Sequence, residues 1–109
     1  MTKKSEFFEG SGNVYADLSI ENAEEMQAKA KLAAEIHRIM KDRGLTQQKT
    51  AKLLGTTQAK MSDVVRGQFH SFTIDRLLKM LLDLGQDVQI TYRPKPKSHD
   101  HASLTVSPV

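Results

Sequence analysis

Apolar residues recur at helical spacing in four stretches of the chain. The longest covers residues 23–43, where the apolar stripe repeats with a period near 3.6 residues. The stripe contains Met26, Ala30, Ala33, Ile36, His37 and Met40, and Leu32 and Ile39 widen it. Asn22 precedes this stretch as a predicted N-cap, and Glu25 completes a capping-box pattern. Three shorter helical stretches follow, at residues 47–54, 58–66 and 74–84.

The period changes to two after the fourth predicted helix. Val88, Ile90 and Tyr92 alternate with polar residues, which predicts a half-buried β-strand over residues 86–93. A single strand leaves its backbone N–H and C=O groups without partners, so it needs a second strand. The candidates are the alternating segment at residues 13–20 and the same strand of a second copy of the chain. We favour the second copy, because a symmetric dimer would also bury the surplus leucines of the fourth helix.

Residues 47–67 carry the most specific pattern in the chain. Ala51 is small enough to let a second helix approach the first closely, and Gly55 stands where the backbone must leave the helix with a positive φ. Thr57 can cap the second helix, in which Met61 and Val64 recur on one face. The opposite face consists of Gln58, Ala59, Lys60, Ser62, Asp63 and Arg66. A plain helical hairpin would explain the small residue and the glycine, but it gives no reason for this outward polar and basic face.

This spacing resembles the helix-turn-helix of the Cro/phage-repressor (XRE) family. The matching residues are Gln47, Ala51, Gly55, Gln58, Val64 and Gly67, whereas Met61 stands where a β-branched residue is more common. The resemblance implies a compact, mainly α, lambda repressor-like bundle of four to five helices with one C-terminal β-strand paired across a dimer. We place the DNA-binding domain in residues 22–93. The polar, glycine-containing start of the chain predicts a partly disordered N-terminal arm (residues 1–21), and proline spacing and polarity predict a disordered tail (residues 94–109).

The same resemblance implies that the second helix of the motif enters the major groove of DNA with its N-terminus first. Gln58 is the best candidate for reading a base, because its amide can pair bidentately with adenine. Lys60 can donate to guanine or to phosphate, Ala59 can touch a thymine methyl group, and Ser62 and Asp63 lie one turn further on. The predicted contacts to the phosphate backbone are Thr46, Gln47, Lys49, Thr57 and Arg66. One subunit offers few base contacts, so we predict a homodimer on an inverted-repeat operator with half-sites about 34–36 Å apart.

Charge and composition favour a polyanionic partner in a reducing compartment. The formal net charge is +3, but residues 1–25 hold two lysines and six carboxylates, so the remaining chain is strongly basic. The sequence has no cysteine, no apolar run long enough to span a bilayer and no signal-peptide pattern, from which we predict a cytoplasmic, nucleoid-associated protein. No nucleophile elbow, P-loop or dinucleotide-binding motif is present, and His99, Asp100 and His101 are predicted to be solvated rather than to bind a metal. We therefore expect neither an enzyme nor a cofactor.

The resemblance extends beyond the motif to residues 12–94, where the order of segments is similar to that of HigA-type antitoxins. It implies a repressor of its own operon that also binds a RelE/HigB-like toxin, a ribosome-dependent RNase. The acidic leader with Phe7, Phe8 and Tyr15 is the candidate contact, because its charge is opposite to that of a basic RNase. Two alternatives stay open: a stand-alone XRE-type repressor without a toxin, and a helical protein-interaction adaptor that does not bind DNA.

Overall fold

Four α-helices form the part of the chain that the computed structural model describes, which is residues 20–69 and 71–109. They are α1 (Ile20–Asp42), α2 (Gln47–Leu54), α3 (Gln58–Val65) and α4 (Ile74–Asp83). Helix α1 packs against α4 and α3, α2 packs against α3, and α2 also contacts α4. The core lies where these helices meet, which confirms the mainly helical bundle that the sequence predicts.

Helix α1 begins before the residue that was expected to cap it. Its first residue is Ile20, so Asn22 lies inside the helix, and the prediction that Asn22 is the N-cap is wrong. Neither glycine nor proline occurs in the first turns of α1, and each residue added to a helix gains a backbone hydrogen bond. The helix therefore includes Asn22, although asparagine is a residue type that often caps a helix.

The starts of the other three helices agree with the sequence prediction. Thr46, Thr57 and Thr73 have extended backbone conformations, and each hydroxyl oxygen accepts a hydrogen bond from the backbone N–H three residues on, at 3.0, 3.2 and 3.3 Å. In the first turn of α4, a hydrogen bond with the Thr73 side chain and nearby backbone N–H groups hold the pKa of Asp75 below its ordinary value. These caps depend on neighbouring residues only, and the sequence is therefore enough to predict them.

Gly55 ends α2 in the left-handed conformation that its position predicts, with a φ of 68°. The N–H of Thr56 donates to the carbonyl of Ala51 at 2.9 Å and closes the turn. A side chain at residue 55 would meet no neighbouring atom, but the left-handed backbone would still cost an L-residue about 1–2 kcal/mol. The glycine thus allows α3 to follow α2 after a short turn.

The core is one cluster of buried side chains that all four helices and the loop before α4 supply. Its members are Leu32, Ala33, Ile36, Ile39, Met40, Ala51, Met61, Val64, Phe72, Leu77, Met80, Leu81 and Leu84. Leu45, Leu54 and Val65 are partly buried against this cluster. Leu53 is 54% exposed, which identifies Leu54 as the leucine that α2 turns towards the core.

The N-terminal half of α1 turns a different face inward than the predicted stripe. Ala30 is exposed, whereas Ala28 and Lys29 are buried, with Lys29 Nζ 3.6 Å from the carboxylate of Glu25. Glu24 lies one turn before Ala28 on the same side of the helix and contacts the C-terminal tail. A distant segment therefore contacts this side of α1, and the periodicity of α1 alone does not contain that information.

Arg43 joins the end of α1 to the end of α4. Its Nη2 donates to the carbonyl of Leu84 at 2.6 Å, and Gln86 Nε2 donates to the same oxygen at 3.4 Å. Carbonyl groups in the last turn of a helix lack intrahelical donors and carry partial negative charge, so a guanidinium group stabilises them. The contact holds the connection between α1 and α2 beside the point where the chain leaves α4.

Residues 86–109 contain neither helix nor strand. Val88 packs against the core, but Ile90 and Tyr92 are 77% and 98% exposed. The predicted strand over residues 86–93 is absent from the single chain as far as the structure describes it. Its pairing with a second copy stays a prediction, since one chain does not provide the partner strand that we favour.

The tail, which the sequence predicts to be disordered, contacts α1 near its far end. The N–H of Leu104 donates to Oε1 of Glu24 at 2.6 Å, and His101 Nε2 lies 3.4 Å from Oε2 of the same carboxylate. Val106 is partly buried against the core. The prediction of disorder over residues 94–109 rests on proline spacing and polarity, and neither feature reveals that an isolated valine is partly buried against the core. The predicted disorder itself stays a prediction.

The remaining N-terminal predictions cannot be compared with structure. Residues 1–19, which include Phe7, Phe8 and Tyr15 and most of the alternating segment, lie outside the described residues. Across residues 20–69 and 71–109, no helix combines the length and the apolar character that a membrane span requires.

Candidate nucleic-acid interface

Helices α2 and α3 form a rigid unit because their contacting faces are fully buried. Ala51 on α2 is 4% exposed, and Met61 and Val64 on α3 are 0% and 2% exposed. Thr50 is also buried, and its hydroxyl donates to the carbonyl of Thr46 at 2.8 Å. Met61, which stands where a β-branched residue is more common, packs into this contact as completely as Ala51 does. The inward half of the motif is therefore a packing surface and leaves only the outward half for a ligand.

The outward face of α3 is open in the described chain. Gln58, Ala59 and Lys60 are exposed, and Ser62 and Asp63 are half-buried one turn further on. Neither Gln58 nor Lys60 uses its side chain in a hydrogen bond or ion pair within residues 20–69 and 71–109. Their polar groups are therefore available to base edges or phosphates.

The first turn of α2 lies beside α3 and adds a second group of predicted contacts. Thr46 and Lys49 are exposed, and the Thr46 oxygen that caps α2 keeps its O–H as a donor for a phosphate. Thr57 caps α3 in the same way and is exposed as well. Both helix starts thus point backbone N–H groups and hydroxyl donors towards solvent, which suits an anionic ligand.

Gln47 is half-buried at the start of α2. It lines an open cavity of about 180 Å³ together with His37, Met40, Lys41, Leu45 and Val65. Among the described residues, Gln47 makes no hydrogen bond to Gln58. The predicted contact of Gln47 with the phosphate backbone stays a prediction for the DNA-bound protein.

Arg66 forms a small network with the residues one turn before it on α3. Its Nε donates to Ser62 Oγ at 3.1 Å, and its Nη2 donates to Asp63 Oδ1 at 3.0 Å. The carboxylate of Asp63 is therefore paired within α3, and the guanidinium group is held in one orientation with further N–H groups left over. The sequence prediction treats the three residues as independent contacts, although their i, i+3 and i, i+4 spacing is the signal that could have revealed the network.

All ten predicted DNA-binding residues come from two adjacent segments of the fold. One segment is the start of α2 with its cap, and the other is α3 with the cap at each end. The three cations of this set, Lys49, Lys60 and Arg66, outnumber its one carboxylate, Asp63. The arrangement can bind a polyanion with a protruding helix, because no other part of the described chain covers the face.

Both the sequence and the fold of this chain are similar to those of known helix-turn-helix proteins. A family model described as "Helix-turn-helix domain" matches residues 14–93. No curated protein gives a significant match. A solved structure described as "Putative XRE Family Transcriptional Regulator" shares 34% sequence identity with this chain and superposes with a TM-score of 0.75, over 81% of this chain and 99% of the other.

Proposed function

The chain belongs to the XRE family of helix-turn-helix transcriptional regulators, and on that basis we propose that α3 reads a specific DNA sequence as part of a dimeric repressor. The observation that carries the proposal is the division of α3 into two halves. Met61 and Val64 are fully buried, while Gln58, Ala59 and Lys60 are exposed, and the side chains of Gln58 and Lys60 make no hydrogen bond or ion pair within the described chain. A helix fixed by its apolar side and open on its polar side can enter the major groove as a rigid reader.

In this proposal each exposed residue of α3 has a defined chemical role. Gln58 pairs bidentately with an adenine, and Ala59 packs against a thymine methyl group. Lys60 donates to guanine or to phosphate. Ser62 and Asp63 lie one turn further into the groove, where Asp63 can accept from a cytosine amino group once Arg66 turns to a phosphate.

Contacts to the sugar-phosphate backbone fix the register of α3 on the duplex. Thr46 and Thr57 offer hydroxyl donors, Gln47 an amide, and Lys49 and Arg66 positive charge. Such contacts carry no sequence information themselves, but they hold the base-reading residues in place.

Selection of binding sites from random duplex DNA with the purified protein tests the function directly: recovery of one inverted repeat supports it, and recovery of no preferred sequence contradicts it.

Replacing Lys49 by alanine is expected to weaken binding by a similar factor on all DNA sequences. Each phosphate contact releases counterions, so the slope of log K against log salt should decrease in magnitude by about 0.9 in the variant. Lys31 is an exposed lysine on α1, and Lys31→Ala is the matched control that should leave the slope unchanged. Fluorescence anisotropy between about 0.05 and 0.2 M salt measures the affinity for each DNA sequence and its salt slope. No binding to duplex DNA by the unmodified protein, or an affinity that does not change with salt concentration, would instead favour the adaptor that does not bind DNA.

We further propose that the dimer forms through the segment after α4. Leu82 on α4, Ile90 and Tyr92 are exposed apolar residues, and Val88 anchors the segment to the core. Pairing of residues 86–93 with their counterparts in a second copy would satisfy the backbone of this segment and cover these side chains. Two copies would then present two α3 helices to half-sites about 34–36 Å apart.

Replacing Ile90 by aspartate is expected to shift the protein to a monomer, because a carboxylate would be buried in an apolar interface. Gln89→Asp is the control, since it introduces the same charge on the alternate side of the predicted strand. Sedimentation equilibrium should show a dimer constant at least about tenfold weaker for Ile90→Asp than for the control. Equal association of both variants would contradict pairing through this segment and favour residues 13–20 as the partner strand.

The antitoxin role is the finer part of the proposal. It is supported by the resemblance of residues 12–94 to HigA-type antitoxins and by the acidic leader that carries Phe7, Phe8 and Tyr15. A neighbouring reading frame that encodes a small basic RelE/HigB-like protein, and co-purification of that protein with this chain, would support it. A regulator that represses its own promoter without such a neighbour would be the stand-alone alternative.

A further inference from the structure

Residues 93–97, Arg-Pro-Lys-Pro-Lys, form the most concentrated run of positive charge outside the helix-turn-helix. The run holds three cations and no carboxylate, and all five residues are exposed. Within the described chain, Arg93 and Lys97 make no hydrogen bond or ion pair, and Lys95 donates only to the backbone carbonyl of His99 at 3.0 Å. We call these five residues the basic loop.

Other exposed cations of the chain behave differently. Arg38 lies between Glu35 and Asp42, with N–O distances of 2.9 Å to each, and Lys79 pairs with Asp83 at 3.0 Å. Those positive charges are paired with carboxylates of the same helix. The charges of the basic loop are not neutralised by the fold, so they are available to an external anion.

The two prolines restrict the backbone of the basic loop, which enters a turn at Lys97 where the N–H of His99 donates to the carbonyl of Pro96 at 3.1 Å. Proline fixes its own φ and biases the preceding residue towards extended or polyproline II conformations, and here that restricts Arg93 and Lys95 as well. At roughly 3.1 Å per residue, the three cations fall within about 12 Å of one another along the backbone. Binding an anion then costs little backbone entropy, because the loop has few other conformations to lose.

The basic loop is also tethered at both ends rather than placed on a free tail. Before it, Val88 packs against the core. After it, Val106 packs against the core, and the N–H of Leu104 donates to Glu24 at 2.6 Å. The structure therefore presents the three cations on a closed loop attached to the body of the domain.

The segment that leads to this loop begins beside the connection between α1 and α2. Arg43, three residues before the Thr46 cap of α2, binds the carbonyl of Leu84 at 2.6 Å. From Val88, whose side chain is anchored, five residues lead to Arg93, a reach of at most about 17 Å. The basic loop can therefore reach the flank of a duplex whose phosphates are held by the start of α2.

On these observations we propose that the basic loop is a second DNA contact, which binds the sugar-phosphate backbone outside the base pairs that α3 reads. The inference rests on the proposed DNA binding by α3. A polyanion fits the loop better than an acidic protein does, because residues 93–97 contain no aromatic residue and no apolar residue other than the two prolines that could anchor in a partner's pocket. Phosphates spaced along a duplex, in contrast, bind a run of cations without any pocket.

The first test neutralises the loop by the substitutions Arg93→Gln, Lys95→Gln and Lys97→Gln together. The matched control carries Lys31→Gln, Arg38→Gln and Lys79→Gln, which lowers the net charge equally at exposed positions on α1 and α4. Both variants are compared with the unmodified chain on a duplex of about 40 base pairs that carries the selected site, and on a duplex trimmed to that site. Thermal unfolding followed by circular dichroism confirms that both variants are folded.

We expect the loop variant to bind the long duplex about tenfold more weakly near 0.15 M salt, with a salt slope smaller in magnitude by about two to three. On the trimmed duplex the unmodified chain and the loop variant should bind equally, because the flanking phosphates are absent. The ranking of base substitutions within the site should not change. Equal loss in the control variant, or no difference between the variants on the long duplex, would overturn the inference while leaving DNA reading by α3 intact.

The second test locates the loop on the duplex. The chain has no cysteine, so Lys97→Cys provides a single attachment point for a reagent that cleaves DNA. Cleavage should fall outside the selected site, and the same reagent at Lys31→Cys should cleave little. Cleavage inside the site, or equally weak cleavage from both positions, would contradict the proposed placement. An unmodified chain that binds no duplex at all would refute the proposed function and this inference together.

Discussion

Replacing Ala51 by leucine is expected to destabilise the protein and to abolish specific DNA binding in the same step. Ala51 is 4% exposed at the contact between α2 and α3, opposite a side of α3 on which Met61 has no exposed surface. Extra methylene groups at such a contact cost about 1–3 kcal/mol, because the two helices must move apart. Moving α3 relative to α2 also separates the groove-reading residues from Thr46 and Lys49, so the two sets of contacts no longer fit one duplex.

Urea unfolding and operator affinity measured on the same preparation test this prediction. Lys52→Leu is the control, since it adds an apolar side chain of the same type to an exposed position of α2 next to Ala51. The control should unfold near the concentration of the unmodified protein and should still select the operator sequence. Operator binding that survives in a folded Ala51→Leu variant would mean that the close approach of α2 and α3 does not determine how α3 is presented.

Replacing Gln58 by alanine is expected to relax base preference far more than it weakens binding to DNA in general. The Gln58 side chain is exposed on the first turn of α3 and has no partner within the described chain, so its removal leaves the fold unchanged. A bidentate contact to adenine contributes about 1–3 kcal/mol of discrimination, which corresponds to roughly 5- to 150-fold in relative affinity. One A·T position in each half-site should therefore become tolerant of other base pairs.

Competition between the selected operator and single-base variants measures the loss position by position. Gln27→Ala removes the same side chain from an exposed position on α1 and serves as the control. Binding to unrelated duplex DNA should stay within about a factor of two in both variants, because phosphate contacts provide most of non-specific affinity. If affinity instead falls equally on all sequences, Gln58 contacts the backbone and another residue of α3 reads the base.

The helix-turn-helix was accessible to sequence reasoning because its signals are short-range. Each threonine cap accepts a hydrogen bond from a residue three positions away, and Gly55 requires only its own positive φ. Ala51, Met61 and Val64 follow helical periodicity within eight-residue helices. A pattern of this kind specifies local structure without information from the rest of the chain.

The errors fall where a distant segment determines the outcome. Asn22 has the right type for a cap, yet the helix continues through it. Ala30 belongs to the apolar stripe by spacing but is exposed, while Ala28 is buried on the side of α1 where Glu24 holds the tail. The predicted disorder of the tail stays a prediction, but the partial burial of Val106 against the core is a contact that composition does not reveal.

The sequence by itself determined the helix-turn-helix, its caps and the identity of the residues on its outward face, because these depend on spacing within a few residues. Only the tertiary structure decided that Arg43 binds the end of α4 and that Glu24 holds the tail 80 residues away. Both contacts join segments whose approach depends on how all four helices pack. Periodicity along the chain specifies which side of a helix is apolar, but the neighbour that covers this side is chosen by the packing of the whole domain.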